Sequence, residues 1–148
     1  MRSIRYCLVI VLSAGAGAGA AAERAVLMKD LPPAVQATVK AETTGATVRG
    51  ISRETEHGVT LYEVETSIDG LSRDLLIDQS GAVVEVEEQV AIAAAPLPVQ
   101  QALSHMGQVV KLERVVTRGV TTFEAQVQQS GKKRTVTVDL KGQVVAPK

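Results

Sequence analysis

The sequence contains few aromatic residues and almost no cysteine. Its 148 residues include no Trp, one Phe, two Tyr, one Cys and two His. A single Cys excludes a disulfide framework within one chain. The two histidines, His57 and His105, stand far apart in the sequence and lack evident partners for a metal site or a Ser/His/Asp arrangement. We therefore interpret both as surface residues.

The chain also has no excess of positive or negative charge. Lys plus Arg number 16 and Asp plus Glu number 16, so the chain has no overall basic field for nucleic acid or a membrane surface. The basic run Lys132, Lys133 and Arg134 has no neighbouring aromatic residue on which bases could stack. We expect no nucleic-acid partner.

Carboxylates recur along the first half of the chain, at Glu63, Glu65 and Asp74 among other positions. General acid–base work or calcium binding would use such residues, but the sequence has no Asp-x-Asp-x-Asp-Gly loop and no Gly-rich phosphate loop. We interpret the carboxylates as a solvated sheet face. The expectation is a protein that is not an enzyme, with no catalytic residues, no cofactor and no metal.

Residues 1–22 have the pattern of an export signal. Arg2 and Arg5 form a short basic start, residues 7–12 form an apolar core, and small residues at 20–22 precede a cleavage site near Ala22. The apolar core is too short to span a bilayer comfortably, and a retained N-terminal anchor is the alternative. Cleavage would remove the only Cys and leave no stable membrane insertion. The pattern predicts a periplasmic or secreted protein.

The remaining chain contains an internal repeat. Residues 46–84 align without gaps onto 107–145, at an offset of 61, and twelve of these 39 positions are identical. Tyr62 and Phe123, the aromatics outside the signal, occupy equivalent positions. A period near 60 is too long for a solenoid unit and indicates duplication of one small module. We therefore predict a signal peptide at 1–22, a first module at 23–92 and a second at 93–148.

Each module has the pattern of a helix followed by four strands. Leu31-Pro32-Pro33 and Leu97-Pro98 favour helix starts, and the second helix or its exit loop is three residues shorter than the first. Gly-containing turns then separate alternating apolar and polar runs. The predicted fold class is α+β, with two tandem modules, each a helix and a four-stranded antiparallel meander, and with the helices packed on one face of the sheet. The pattern leaves open whether the modules share one sheet.

The turn at Asp69-Gly70 fixes a hairpin register. A two-residue loop places Ile68 opposite Leu71, and the same register in the second module places Phe123 opposite Val138. One apolar face results in both copies, composed of Tyr62, Val64, Leu75, Ile77, Phe123, Ala125, Val136 and Val138. The first strand of each module fits less well, because Arg53 and Arg114 fall on the apolar side. Either a bulge intervenes or the arginine stems lie over the apolar surface.

The first copy contains the segments LPPAVQATV, TLYEVE and LLIDQSGAVVEVE, and the second contains PLPVQQAL, TTFEAQVQ and VTVDLKGQVV. These segments resemble the PepSY-like family, which is grouped with the β-lactamase-inhibitor-like fold. The resemblance covers about residues 26–146. It implies a helix on an antiparallel meander in each half, no catalytic residues, and envelope proteins that bind or restrain other proteins, peptidases among them. The sequence departs from such inhibitors in having few aromatics on its open sheet face.

The two halves differ in charge, with a net −7 over 23–92 and +5 over 93–148. This split fits duplicated surfaces that diverged, halves that attract each other, or a molecule that docks charged partners or itself. We expect an exported binding protein that engages a protein or peptide through its sheet face or a strand edge. The alternative is a self-associating structural component of the envelope. The candidate partner-binding residues are Glu63, Glu65, Asp74, Lys132, Lys133 and Arg134.

Overall fold

The computed structural model of the protein describes residues 24–56 and 58–145. The predicted signal peptide, residues 1–22, and His57 lie outside these ranges. The described chain forms one antiparallel sheet of eight strands, whose order in the sheet is their order in the sequence. The strands are β1 (Arg24–Ala25), β2 (Thr47–Glu56), β3 (Val59–Ile68), β4 (Leu71–Asp78), β5 (Val83–Gln89), β6 (Gln108–Thr117), β7 (Val120–Gln129) and β8 (Lys132–Asp139).

The expected fold class, with two modules of one helix and four strands each, is wrong. β5 pairs directly with β6, from Glu85 opposite Thr117 to Gln89 opposite Glu113, so the sheet continues from one half of the sequence into the other. After β8, the chain adds an isolated bridge between Val144 and Val138 where a further strand was expected. Local turn signals specify hairpins, but the β5–β6 pairing joins segments separated by a helix, and short-range patterns carry no signal for it.

The predicted hairpin registers are confirmed. Ile68 lies opposite Leu71, Val64 opposite Leu75, and Phe123 opposite Val138. Both turns have positive φ at their central residues, 51° and 82° at Asp69 and Gly70, as a two-residue hairpin loop requires. The turn residues therefore decide which side chains face the core.

Two α-helices, α1 (Pro33–Glu42) and α2 (Leu97–Ser104), pack on the same face of the sheet. Each begins beside a proline, and a glutamine side chain reaches back to a carbonyl before the helix: Gln36 Nε2 donates to Leu31 O at 2.9 Å, and Gln100 Nε2 donates to Ala95 O at 2.8 Å. α2 has eight residues where α1 has ten. The loop that follows it is one residue shorter, which accounts for the three residues missing from the second copy.

The helices cover two apolar clusters. Tyr62 is 5% exposed beneath α1 and Phe123 is 3% exposed beneath α2, which confirms their predicted burial. Around them lie mainly aliphatic side chains: Leu31, Val35, Val39, Val64, Leu75 and Ile77 in the first cluster, and Ala95, Val99, Leu103, Leu112, Ala125, Val127, Val136 and Val138 in the second. Burial of this apolar surface holds each helix on the sheet.

β2 and β6 each contain a β-bulge, but their arginines stay on the apolar side of the sheet. The register shifts between Val48 and Gly50 in β2 and between Val109 and Lys111 in β6, at the same offset of 61 residues. Downstream of the bulges, Arg53 lies opposite Tyr62 and Arg114 opposite Phe123. Both arginines therefore stand on the helix-covered face at its margin. A bulge inserts one extra residue and re-aims its side chain, and in β2 that residue is Arg49.

Two Asp-x-x-Gly turns support the helices from below. Asp78 Oδ1 accepts hydrogen bonds from the Ser80 hydroxyl at 2.5 Å, from Ser80 N at 2.9 Å and from Ala82 N at 3.0 Å. The bond from the Ser80 hydroxyl is the main reason that the pKa of Asp78 is lowered. Gly81 has φ +87°, and a Cβ placed there would lie 2.8 Å from Ala34 O. The glycine therefore permits both the turn and the close approach of α1. Gly142 takes the same position beneath α2.

Candidate functional site

The face of the sheet away from the two helices is its polar face. Side chains alternate between the two faces along each strand, so the residues between the core positions project to this side. Among residues 24–56 and 58–145, both α-helices pack on the opposite face. We call this surface the acidic face and define it by the carboxylates on it: Glu63, Glu65, Asp74, Glu85, Glu87, Glu113 and Glu124.

Three of these carboxylates form a row across neighbouring strands. Glu65 on β3 lies opposite Asp74 on β4, and Asp74 lies opposite Glu87 on β5. Neighbouring strands are about 4.8 Å apart. Like charges directly opposite each other destabilise a sheet. Stability of the sheet alone therefore does not explain why three carboxylates stand in this row.

A second pair of carboxylates repeats this juxtaposition further along the face. Glu113 on β6 lies opposite Glu124 on β7. Lys111 contacts Glu113 in a close ion pair, and Thr117 Oγ1 donates to Glu85 Oε2 at 2.6 Å. These contacts order the carboxylates at the centre of the sheet.

Arg49, the bulge residue of β2, brings a positive charge to one end of the row. Its Nη2 donates to Thr66 O at 3.2 Å and lies 3.8 Å from Asp74 Oδ1. The Thr66 amide donates to the same Asp74 oxygen at 3.1 Å. Asp74 is thus held in one orientation, with its side chain 5% exposed, while that of Arg49 is 46% exposed.

Burial on the acidic face is greatest near the middle strands. Asp74, Glu87 and Glu113 are each at most 9% exposed, and Glu65 at the edge of the row is exposed. Ser72, two residues before Asp74 on the same strand and face, is 8% exposed. Its hydroxyl oxygen is buried and has no hydrogen-bond partner among the described residues. A buried hydroxyl without a partner costs stability.

The predicted site residues fall into two separate places. Glu63, Glu65 and Asp74 lie together on the acidic face. Lys132, Lys133 and Arg134 lie at the start of β8, the last strand of the sheet, where all three are exposed. Arg134 Nη2 donates to Met106 O at 3.2 Å. β8 is four strands away from β4, roughly 19 Å at the usual spacing, so the structure does not bring the two groups together.

On the helix-covered face, an ion-pair chain crosses the middle of the sheet. The Glu88 carboxylate on β5 accepts hydrogen bonds from Arg114 Nη2 at 2.5 Å and from Arg73 Nε at 3.2 Å. Arg73 Nη2 in turn donates to Glu42 Oε2 at 3.1 Å. The hydrogen bond from Arg114 is the main reason that the pKa of Glu88 is lowered. This chain connects α1 with β4, β5 and β6.

The sequence-based prediction missed Glu85, Glu87 and Glu113. The alternation Glu85-Val86-Glu87 is typical of a strand with one acidic face and could have identified two of them. Glu113 joins the acidic face only because β6 pairs with β5, for which the sequence gives no local signal.

Other site chemistries find no support in the described part of the chain. Within it, no group of three or more His, Cys, Asp or Glu residues is placed to hold a metal ion. No helix formed by the described residues is long and apolar enough to cross a membrane. His105 follows α2 at the surface.

The fold is similar to that of several solved structures, one of which is described as a BLIP-like protein. No family model matches the chain, and no curated protein matches it. A DUF2874 family protein from Bacteroides ovatus is 16% identical and superposes with a TM-score of 0.61 over 78% of this chain and 85% of its own. A BLIP-like protein from Bacteroides fragilis is 22% identical, with a TM-score of 0.57 over 80% and 86%. A protein from Bacteroides eggerthii, provisionally described as periplasmic, is 17% identical, with a TM-score of 0.63 over 78% and 86%.

Proposed function

We propose that the protein is an exported, non-catalytic binding protein that engages another protein through the acidic face. The observation that carries the proposal is the row of Glu65, Asp74 and Glu87, because opposed like charges cost stability in a sheet. A feature that costs stability and nevertheless persists is typical of a functional site.

The compartment in this proposal is the periplasm or the cell exterior. Residues 1–22 have the pattern of a cleavable export signal, and a structural neighbour is provisionally described as periplasmic. The partner is then an envelope or secreted protein. The resemblance to PepSY-like proteins adds peptidases as one class of partner, which the protein would bind or restrain.

A self-associating envelope component is the second candidate. The observation that favours it is the presence, on one chain, of the acidic face and of the exposed basic residues Lys132 and Lys133 at the far edge of the sheet. Two copies could place the basic edge of one against the acidic face of the other.

Site-specific photo-crosslinking tests the binding proposal. A photo-reactive amino acid replaces Glu65 or Thr137 on the acidic face, and Gln101 on the exposed surface of α2 serves as the control position. We expect crosslinks to a distinct protein from positions 65 and 137 and none from position 101. Crosslinks only to a second copy would favour the self-associating component. Crosslinks from position 101 alone would contradict both.

A further inference from the structure

We propose that the exposed edge of β8 is a second binding site, at which an extended acidic segment of a partner protein adds to the sheet as a further strand. The segment pairs with residues 132–135 and places a glutamate opposite Arg134. This site lies apart from the acidic face, so the inference goes beyond the proposed function. It follows from the open edge of β8, from the internal repeat and from the charge of the strand.

The edge of β8 is open along its first half. Residues 132–135 pair with β7 on one side, have no described strand on the other side, and are all exposed. Further along β8, Val145 N donates to Thr137 O at 2.9 Å, so the peptide oxygen of Thr137 points away from β7. The direction of peptide groups alternates from residue to residue along a strand. The peptide groups of Lys133 and Thr135 therefore also point outward, where an added strand reaches them.

The internal repeat supplies a template for this site. β4 and β8 are equivalent strands at the offset of 61 residues, and Arg134 corresponds to Arg73. Beside β4 lies β5, on which Glu88 stands opposite Arg73 and accepts a hydrogen bond from its Nε at 3.2 Å. The first half of the sheet thus shows how an acidic strand pairs with a strand of this kind.

Arg134 makes one of the two kinds of contact that Arg73 makes. Arg73 Nη1 donates to Glu42 O at the end of α1 at 3.0 Å, and Arg134 Nη2 donates to Met106 O just after α2 at 3.2 Å. The Arg73 side chain is 18% exposed beside its carboxylates, whereas Arg134 is exposed and has no carboxylate partner among the described residues. A guanidinium group that is already held in place, with N–H donors to spare, is prepared to bind a carboxylate.

The charge of β8 determines which segment binds. Lys132, Lys133 and Arg134 give the exposed start of the strand three positive charges. Lysines at a sheet edge discourage pairing with strands that carry no negative charge, and they favour an acidic strand. Two β8 edges repel each other, so the occupant is not the β8 of a second copy. Main-chain hydrogen bonds supply affinity in strand addition, and side chains supply specificity.

Synthetic peptides test the inference. The probe has the sequence of residues 85–91, which contains Glu88, and the comparison peptide carries Lys in place of each Glu. Binding to the full exported chain is measured by fluorescence anisotropy. We expect the acidic peptide to bind and the Lys peptide not to bind. Affinity should fall as salt rises, because the screening length shortens from about 30 Å at 0.01 M to about 8 Å at 0.15 M. Equal binding of the two peptides would overturn the inference.

Backbone methylation of the peptide tests whether it binds as a strand. In the sheet, Val90 N donates to Leu112 O of β6, so by alternation the amide of Glu88 also faces β6 and that of Glu87 faces β4. In the peptide, N-methylation at the position of Glu87 should weaken binding about tenfold or more, because a hydrogen bond to β8 is lost. N-methylation at the position of Glu88 should have little effect. Equal losses would refute strand addition.

Thr135→Pro tests the same hydrogen bonds from the side of the protein. Edge strands accept a proline where the N–H would face solvent, so we expect a nearly unchanged melting temperature and loss of peptide binding. Unchanged binding would overturn the inference. If the variant unfolds, the methylated peptides still decide the question, since they are measured on the unaltered chain.

Arg134→Gln locates the ion pair. We expect it to weaken binding of the acidic peptide about two- to fivefold, and the loss should disappear when the peptide carries Gln at the position of Glu88. Arg118→Gln is the matched control, because it removes one exposed arginine at the turn between β6 and β7. An equal loss from both variants would mean that net charge alone attracts the peptide, and the inference would fail.

Sedimentation distinguishes a partner from a second copy. We expect the chain without peptide to sediment identically with and without Thr135→Pro. Self-association that Thr135→Pro abolishes would assign the edge to a second copy and overturn the inference. Photo-crosslinking from position 65 examines the acidic face separately, so the proposed function and the β8 site stand or fall independently.

Discussion

Glu88 of β5 accepts a hydrogen bond from Arg114 of β6 at 2.5 Å, across the strand pair that joins the two halves of the sheet. Arg73 approaches the other oxygen of the same carboxylate at 3.2 Å. One carboxylate thus connects two arginines from strands on either side of it. This contact supports a pairing that the hairpin turns do not specify.

The first prediction concerns this carboxylate. The pKa of Glu88 is lowered in the folded chain, so its contribution to stability is present above the unfolded value near 4.5 and is lost as pH falls through the folded value. We expect Glu88→Gln to lower stability at neutral pH by no more than about 1 kcal/mol, because the group is partly exposed and screened. Thermal melts at neutral and acid pH measure the difference. A difference that persists unchanged in acid would point to packing instead of charge.

A second prediction concerns the glycine beneath α1. Gly81→Ala should destabilise the chain more than Gly70→Ala. Both glycines have positive φ, +87° and +82°, but only at Gly81 would a Cβ meet backbone, 2.8 Å from Ala34 O. The strain of positive φ alone costs about 1–2 kcal/mol. Denaturant unfolding of the two variants isolates the additional cost of the close approach. Equal losses would show that α1 can move away without cost.

A third prediction concerns the two buried aromatics. Tyr62→Ala and Phe123→Ala should each cost roughly 3–5 kcal/mol of unfolding free energy, because each ring lies at the centre of an apolar cluster. Val120→Ala, at a position 52% exposed, is the control and should change stability by no more than about 0.5 kcal/mol. The measurement is equilibrium unfolding in urea. A small effect of either aromatic substitution would mean that the surrounding side chains rearrange and fill the cavity.

The fourth prediction concerns the basic edge. Replacing Lys132 and Lys133 by Gln should leave the melting temperature nearly unchanged, because both side chains are exposed on the last strand. Self-association or partner binding should weaken, and more strongly at low salt. Arg134 is kept, since it donates to Met106 O. Melting curves and sedimentation over a salt series test this. A large fall in melting temperature with unaltered association would assign these lysines to the fold.

The sequence predicts local features well and long-range ones poorly. Asp69-Gly70 determines the register of its hairpin because both residues adopt positive φ, and from this register the burial of Tyr62 follows. The pairing of β5 with β6 has no such signal, since a helix of eight residues lies between the strands. The error in the predicted fold class arose at this strand pair.

The same distinction applies to the candidate site. Glu63, Glu65 and Asp74 were identified because they share a hairpin with a turn that fixes their face. The basic residues at 132–134 were identified as a charged run, but their distance from the carboxylates depends on how many strands lie between them. Ser72 carries no sequence signal, because its missing hydrogen-bond partner is a property of the packed sheet.

Strand order that follows sequence order has a consequence for how the chain folds. From β1 to β8, each strand pairs with the one made just before it, so most contacts join segments close in sequence, and topologies of this kind fold faster than sheets built from distant strands. A chain that emerges N-terminal end first can add each new strand to an existing edge. The growing edge stays unpaired until the following strand arrives, and the exposed lysines at the start of β8 oppose pairing with a foreign strand that is not acidic when growth ends.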